Sequence, residues 1–302
     1  MRRHQSSRRA VRRRIIVKSA LAMTVVVLLP VPTPSSGAAT ASSPPALPAV
    51  HASSSPECER ERVLVLAHRG TGSGTRSIGG ETFSENTVPA FTKALTEGAD
   101  GFEADYWPTA DGRIATHHDD TLDRMTDGNG QIGRRSWAQI ASVRHPSGEP
   151  IPSIEAVQVA TRTHGGHRQQ EIKQGARFSD SLLRRMTEVD IANVPGALAR
   201  VLYTSSEIRT LRRLHQIDPR IRLGLVTIPD TTRPVIANLP EWLDVVLVDL
   251  RAADEAYVRQ ASKSGYEVSV RGVDTLARLR EAVAVGATRV MTNRPELLGR
   301  AC

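Results

Sequence analysis

Long hydrophobic runs are missing from this 302-residue chain. Its one sustained apolar stretch, Ala20–Leu29, is ten residues long, about half of what a membrane-spanning helix needs, so no stable membrane span is expected. Arginine-rich, acid-free Met1–Lys18 precedes that stretch and Pro/Ser/Ala-rich Pro30–Ala41 follows it. This is the order of a secretory signal over residues 1–41, with Ala39-Thr40-Ala41 as the cleavage candidate. Arg13-Arg14 followed by Ile15-Ile16-Val17-Lys18 also fits a twin-arginine leader, so both export routes stay open. The expectation is a secreted or extracytoplasmic protein. A surplus of one charge is also missing once the leader is set aside. The leader holds eight of the 40 Lys+Arg and none of the 32 Asp+Glu, leaving equal numbers in the remainder. Nucleic acid is therefore not the expected partner, because backbone binders keep a basic surplus in the folded part. Aromatics make up only 4% of residues, which argues against an apolar rim that docks on lipid.

What is present reads as one domain. Ser42–Glu57 continues rich in Ser, Pro and Ala and is expected to be a flexible tether. Residues 58–302 then alternate β-branched runs with helix-like stretches, the pattern of parallel strands joined by crossover helices. The runs are Val63–Ala67, Gly101–Tyr106, Gln170–Lys173, Ala197–Tyr203, Ile221–Thr227, Val245–Asp249, Tyr266–Val270 and Arg289–Thr292. Eight such runs in a domain of this size give an α/β fold, a TIM (β/α)8 barrel. Arg113–Thr116 is an extra strand inside a small insertion after the second strand, at about 108–150. The third run is anomalous, because Arg168-Gln169-Gln170 is polar where a barrel strand should be apolar. Helices are expected over stretches such as Thr87–Glu97, Ser179–Val189, Ser206–Gln216 and Thr275–Val285, with Ser179 or Asp180, Ser205 and Asp274 as caps. The only two cysteines, Cys58 and Cys302, flank the domain; in an exported barrel they are candidates for a disulfide, the alternative being two free thiols. Ser55-Pro56-Glu57 before Cys58 is not the small-apolar run of a lipid-attachment site.

Four polar clusters lie at or just beyond short apolar segments, where barrel sites are built: His68-Arg69-Gly70, Glu85-Asn86-Thr87, Glu103-Ala104-Asp105 and His118-Asp119. Two histidines, an arginine and paired carboxylates are the inventory for metal-assisted attack on a phosphate ester. Glu103 and Asp105 are two apart on a strand and share a face. His117 points the opposite way from His118 and reads as structural.

In order along the chain, these clusters resemble the glycerophosphodiester phosphodiesterase family. The carrying residues are Leu66-Ala67-His68-Arg69-Gly70, Glu85-Asn86-Thr87-Val88-Pro89-Ala90-Phe91, Gly98 to Asp105, His118 to Arg124, Glu171-Ile172-Lys173 and Thr292-Asn293-Arg294-Pro295. The resemblance implies a TIM barrel that hydrolyses glycerophosphodiesters to glycerol 3-phosphate and an alcohol. It implies a divalent cation, Ca²⁺ or Mg²⁺, on Glu103, Asp105 and Glu171. His68 and His118 would be the acid/base pair, while Arg69 and Lys173 would grip the phosphoryl oxygens. Glu85 either orients His68 or Arg69 or sits in a helix's first turn.

Two departures from the family pattern stand out. Thr71–Ser84 is a longer Gly/Ser-rich loop than the family's usual link, placed to narrow or gate the site. Arg271 stands where the family carries a pocket tryptophan; it either pairs with an extra anionic group on the substrate or is an exposed arginine. A phospholipase D-like lyase acting on lysolipids, and a non-catalytic extracellular barrel that binds a phosphorylated ligand, are the alternative classes. The low aromatic content weighs against the first, and two histidines set among three carboxylates against the second.

Overall fold

The apolar runs pair edge to edge around a closed ring. The computed structural model describes residues 63–299, so the leader, the tether and the Cys58–Cys302 pair lie outside the described residues. In chain order the elements are β1 (Leu64–Ala67), β2 (Thr75–Ile78), β3 (Glu81–Ser84), α1 (Val88–Thr96), β4 (Gly101–Pro108), β5 (Ile114–Thr116), α2 (Trp137–Ala141) and α3 (Ile154–Thr161). They continue with β6 (His167–Ile172), α4 (Asp180–Asn193), α5 (Ala197–Arg200), β7 (Val201–Ser205), α6 (Ile208–Ile217) and β8 (Arg222–Val226). The chain closes with β9 (Val245–Asp249), α7 (Glu255–Lys263), β10 (Glu267–Arg271), α8 (Leu276–Ala284), β11 (Arg289–Thr292) and α9 (Pro295–Leu298).

Parallel strands run in the order β1-β11-β10-β9-β8-β7-β6-β4, and β4 pairs back onto β1, so eight strands form the expected TIM barrel. Helices cover its outside because each turns an apolar stripe inward: Ala90, Phe91 and Ala94 of α1, Leu211 and Leu214 of α6, and Val258 and Ala261 of α7 are buried. Among the described residues, no helix is long and apolar enough to cross a membrane. The strand expected at Arg113–Thr116 is β5, which folds back antiparallel on β4, Tyr106 facing Thr116. That return brings the insertion to the barrel's C-terminal rim.

The anomalous third strand resolves by face. β6 begins at His167, earlier than the expected Gln170, and each polar residue has its own destination. Arg168 lies outside the barrel over the Phe102 ring, 4.5 Å from its centre, and donates to Thr161 O and Gly165 O. Gln170, on the same outer face, donates to the buried Asp190 carboxylate at 3.0 Å. Gln169 alternates inward, toward the cleft.

Three local expectations are corrected. Ala197–Arg200 is one helical turn and the strand starts at Val201, where helix formers give way to Val-Leu-Tyr-Thr. Ser205 does not cap α6: its hydroxyl donates to Ile172 O and accepts from Glu207 N, and the helix begins after Glu207. Asp274 does not cap α8 either; Thr275 does, because Asp274 is engaged by Asn293.

The Gly/Ser-rich segment is likewise not an open loop. It contains the hairpin β2–β3, in which Ile78 faces Glu81 across Gly79-Gly80. Both glycines have positive φ, +63° and +87°, as a two-residue hairpin turn requires. Ile78 and Phe83 bury against Ala90, which seats the hairpin on α1.

Candidate active site

The C-terminal ends of the barrel strands surround a cleft of about 390 Å³. One wall comes from β1, β4, β6 and the insertion and carries His68, Arg69, His118, Glu171 and Lys173. The facing wall, from β8 to β10, carries Val226, Ile228, Asp230, Leu247, Asp249 and Arg271.

Glu103, Asp105 and Glu171 converge so that one carboxylate oxygen from each lies within 4.8 Å of the others. Glu103 and Asp105 are buried. Burial first, then repulsion from Asp105 and Glu171, pushes the Glu103 carboxyl well above the usual range. Burial alone would also raise Asp105, but Lys173, Arg69, His118 and Asn86 together hold it below the usual range. Glu103 Oε1 is buried without a hydrogen-bond partner, and Asp105 Oδ1 has only the Lys173 ammonium at 3.0 Å. An all-oxygen donor set with an orphaned carboxylate oxygen suits a hard divalent cation.

Cations frame this cluster. Lys173 Nζ lies 2.7 Å from Glu171 Oε1; burial alone would lower its pKa, but Asp105 and Glu171 raise it, so the ammonium stays charged. Arg69 Nε is 3.4 Å from Asp105, and its Nη1 donates to Glu85 at 3.1 Å. Glu85 therefore meets the arginine from behind, and it also accepts from Gly74 N. The backbone is bent to the same end. Arg69 and Asn86 sit at φ +52° and +59°, conformations that side-chain-bearing residues adopt at a cost of order 1–3 kcal/mol. Arg69 N donates to Glu103 and Asn86 Nδ2 to Asp105, fixing both carboxylates.

Each histidine is oriented through its Nδ1, and at His68 the Ser73 hydroxyl also stands 3.3 Å from that nitrogen. Asn293 Nδ2 donates to Asp274 at 3.0 Å, which turns its Oδ1 toward His68 Nδ1, 2.8 Å away. A carbonyl accepts only, so His68 carries its proton on Nδ1 and leaves Nε2 with a lone pair. Burial, followed by the adjacent Arg69 charge, lowers His68 to about 4, so it is neutral at pH 7. His118 Nδ1 instead meets Asp119 Oδ1 at 2.6 Å. Burial would raise Asp119, but hydrogen bonds from Arg124 and His118 bring it to about 2. Arg124 joins the two supports, reaching Asp119 through Nε at 2.5 Å and Glu85 through Nη2 at 2.6 Å. His117, on the other face, is buried with Nε2 3.0 Å from Thr121 O.

Arg271 stands in the facing wall, where its Nη2 donates to Asp230 at 2.6 Å and to Thr227 O at 2.8 Å. All the residues singled out in the sequence for chemistry thus gather around one cleft, with Glu85 behind it.

Residues 68–297 match the family model described as the glycerophosphoryl diester phosphodiesterase family. The chain belongs to that family. Within it, the chain is similar to a glycerophosphodiester phosphodiesterase of Caldanaerobacter subterraneus subsp. tengcongensis, 25% identical over 255 residues, covering 78% of this chain and 96% of the relative. In fold it is similar to a phosphodiesterase of Oleispira antarctica, solved in complex with the product sn-glycerol-3-phosphate. That structure has a TM-score of 0.66 and 21% identity, over 78% of this chain and 95% of the other. A putative glycerophosphodiester phosphodiesterase from Galdieria sulphuraria superposes with a TM-score of 0.68 at 19% identity, over 78% and 96% of the two chains.

This phosphodiesterase-family chain also uses residues to which its sequence alone assigned no part in the chemistry. Asn293, Asp274, Asp119 and Arg124 orient the histidines, and all but Asp274 lie inside the matched motifs. Gln169 reaches the cleft with both amide atoms buried and without partners. Its signal was the polar triplet in β6, which marked a side chain wanted for polarity rather than packing.

Proposed function

We propose that this chain is an exported, metal-dependent phosphodiesterase that hydrolyses glycerophosphodiesters to glycerol 3-phosphate and an alcohol through paired histidine acid–base catalysis. One observation carries the reading: three carboxylates within 4.8 Å stand in the same cleft wall as two imidazoles, each held by its Nδ1. Membership of the family supports the reaction class, and the leader's composition supports export.

Glu103, Asp105 and Glu171 would hold the cation, which when bound supplies a Lewis acid beside the phosphate. Arg69 and Lys173 supply the fixed positive charge of the phosphoryl subsite, aimed at oxygens whose charge grows in the transition state. Neutral His68 takes the proton of the attacking oxygen on Nε2, whether that oxygen belongs to water or to a neighbouring substrate hydroxyl. His118 gives a proton to the leaving alcohol while Asp119 holds the ring in register. Arg271 and Asp230, in the facing wall, would meet the remainder of the substrate.

The test is release of glycerol 3-phosphate from glycerophosphocholine by purified residues 42–302, with Ca²⁺ or Mg²⁺ and again with chelator. The expected result is turnover that chelation abolishes. Metal binding without turnover of any glycerophosphodiester would sink the enzymatic reading and favour a ligand-binding barrel.

A further inference from the structure

We propose that the β2–β3 hairpin is a strut for His68, and that Arg76 is a positioning residue acting through Asn293. The inference rests on His68 being the proton acceptor of the reaction above.

The hairpin is anchored at both ends. On one side Ile78 and Phe83 bury against Ala90, and Lys93 Nζ covers the Phe83 ring at 5.9 Å. On the other, Arg76 of β2 donates through Nη1 to the backbone carbonyls of Thr71, at 2.6 Å, and Asn293, while Nη2 donates to Glu296 at 2.9 Å. One guanidinium therefore ties the hairpin to the residue whose side chain holds His68. Asn293 is also fixed by Asp274 from its far side and by Ser73 N, which donates to its Oδ1 at 3.0 Å. The segment leading into the hairpin presses on it directly: a Cβ at Gly72, where φ is +103°, would meet the Asn293 carbonyl oxygen at 2.5 Å.

Asn293 lies just past β11, where the chain leaves the sheet. Without the hairpin its backbone carbonyl would lose the arginine and its side-chain oxygen would lose Ser73. The amide would then be free to rotate away from His68. A misplacement of that kind lowers the chemical step while leaving substrate contacts intact, because Arg69 and Lys173 are held by Asp105, Glu85 and Glu171, whereas Arg76 bonds Thr71, Asn293 and Glu296. On this reading the long link fixes the site.

The experiment is a double-mutant cycle on the metal-loaded enzyme using Arg76→Met, Asn293→Ala and the pair. Arg76→Met is expected to lower kcat by roughly ten-fold with KM within about two-fold. In the Asn293→Ala background the same substitution costs clearly less than in the wild type, because its main route to His68 is gone and only the Ser73 hydroxyl, 3.3 Å from His68 Nδ1, remains. Arg76→Lys keeps a donor for Asn293 and recovers most of the rate, while Ser77→Ala, on the exposed edge, leaves it unchanged. Effects that multiply in the double mutant, or an unchanged kcat in folded Arg76→Met, overturn the proposal. A second readout does not need turnover. The hydrogen-bonded Nδ1 proton of His68, assigned by its absence in His68→Gln, should be visible by NMR in the wild-type protein and lost in Arg76→Met. If the wild type cleaves no glycerophosphodiester, the functional reading fails and this proton still decides the strut: its persistence in Arg76→Met refutes it.

Discussion

The two walls of the cleft are built differently. On the β1–β4–β6 side the charges are buried and each is held by several neighbours: Glu85 meets Arg69, Arg124 and Gly74, and Asp105 meets Asn86, Arg69 and Lys173. Positive φ at Arg69 and Asn86 shows a backbone forced to serve that network. On the β8–β10 side the ion pairs are fewer and share exposed partners. Asp249 pairs with Arg251 two residues on, and the Asp230 and Arg251 side chains are 56% and 58% exposed. Exposed pairs of this kind contribute roughly 0–1 kcal/mol and move easily. The comparison teaches that one wall is over-determined, as charge stabilisation requires, and the other is adaptable, as the proposed function would require for recognition of a variable alcohol.

The hardest blow to that comparison would be a tolerant first wall. Glu103→Gln should lower turnover by roughly 10²–10³-fold and weaken cation binding, read by kinetics and by calorimetric titration. Its effect on stability should have the opposite sign. In chelated wild type the raised Glu103 pKa means the folded state binds a proton that the unfolded state releases earlier. That contribution is full below the ordinary carboxylate range and is lost as pH rises through the folded value. Glu103→Gln removes the repulsion, so in chelator at neutral pH its melting temperature should not fall below that of wild type. Retained turnover in the variant would move the chemistry elsewhere.

A finer test separates the two histidines. Because His68 loses its proton at about 4, the acid limb of kcat/KM should lie near that value rather than near the ordinary histidine pKa of about 6.5. Asn293→Asp places a carboxylate on Nδ1 and should move the limb upward by roughly one unit or more. The same shift affects stability: between about 6.5 and about 4 the unfolded chain binds the proton and the folded one does not. The contribution is therefore full above that window and lost as pH falls through it. A limb that stays in place in Asn293→Asp would show that His68 is not the group being read.

The barrel was legible because short β-branched or apolar runs alternate with helical patterns along the chain. β6 was the least legible, since its outward residues satisfy Asp190 and stack on Phe102 instead of packing apolar surface. The site residues were legible from motif order, as acids and histidines at strand ends stand out locally. Their supports were not: Asn293 meets His68 across 225 positions and Arg124 meets Glu85 across 39, and nothing in a single chain announces such pairs. The hairpin was not legible because glycine and serine suggest freedom, whereas Gly79-Gly80 are the φ-positive centre of a turn and Ile78 and Phe83 are its apolar anchor.

The smallest expected effect lies in the second wall. Arg271 is already paired with Asp230, its side chain is 22% exposed, and both its bonds use Nη2, which leaves Nε and Nη1 for a ligand. Arg271→Met should therefore raise KM by roughly three- to ten-fold with kcat within about two-fold, the pattern of lost uniform binding. The substrate dependence of that loss carries the information. If Arg271 receives an extra anionic group, the loss falls mainly on glycerophosphodiesters whose alcohol carries a second negative charge, and Asp230→Asn, which frees the guanidinium, should strengthen the preference for them. An equal loss on neutral and anionic alcohols would instead make the pair a donor–acceptor contact for hydroxyls. A fall in kcat as large as that expected for Glu103→Gln would erase the distinction between the two walls.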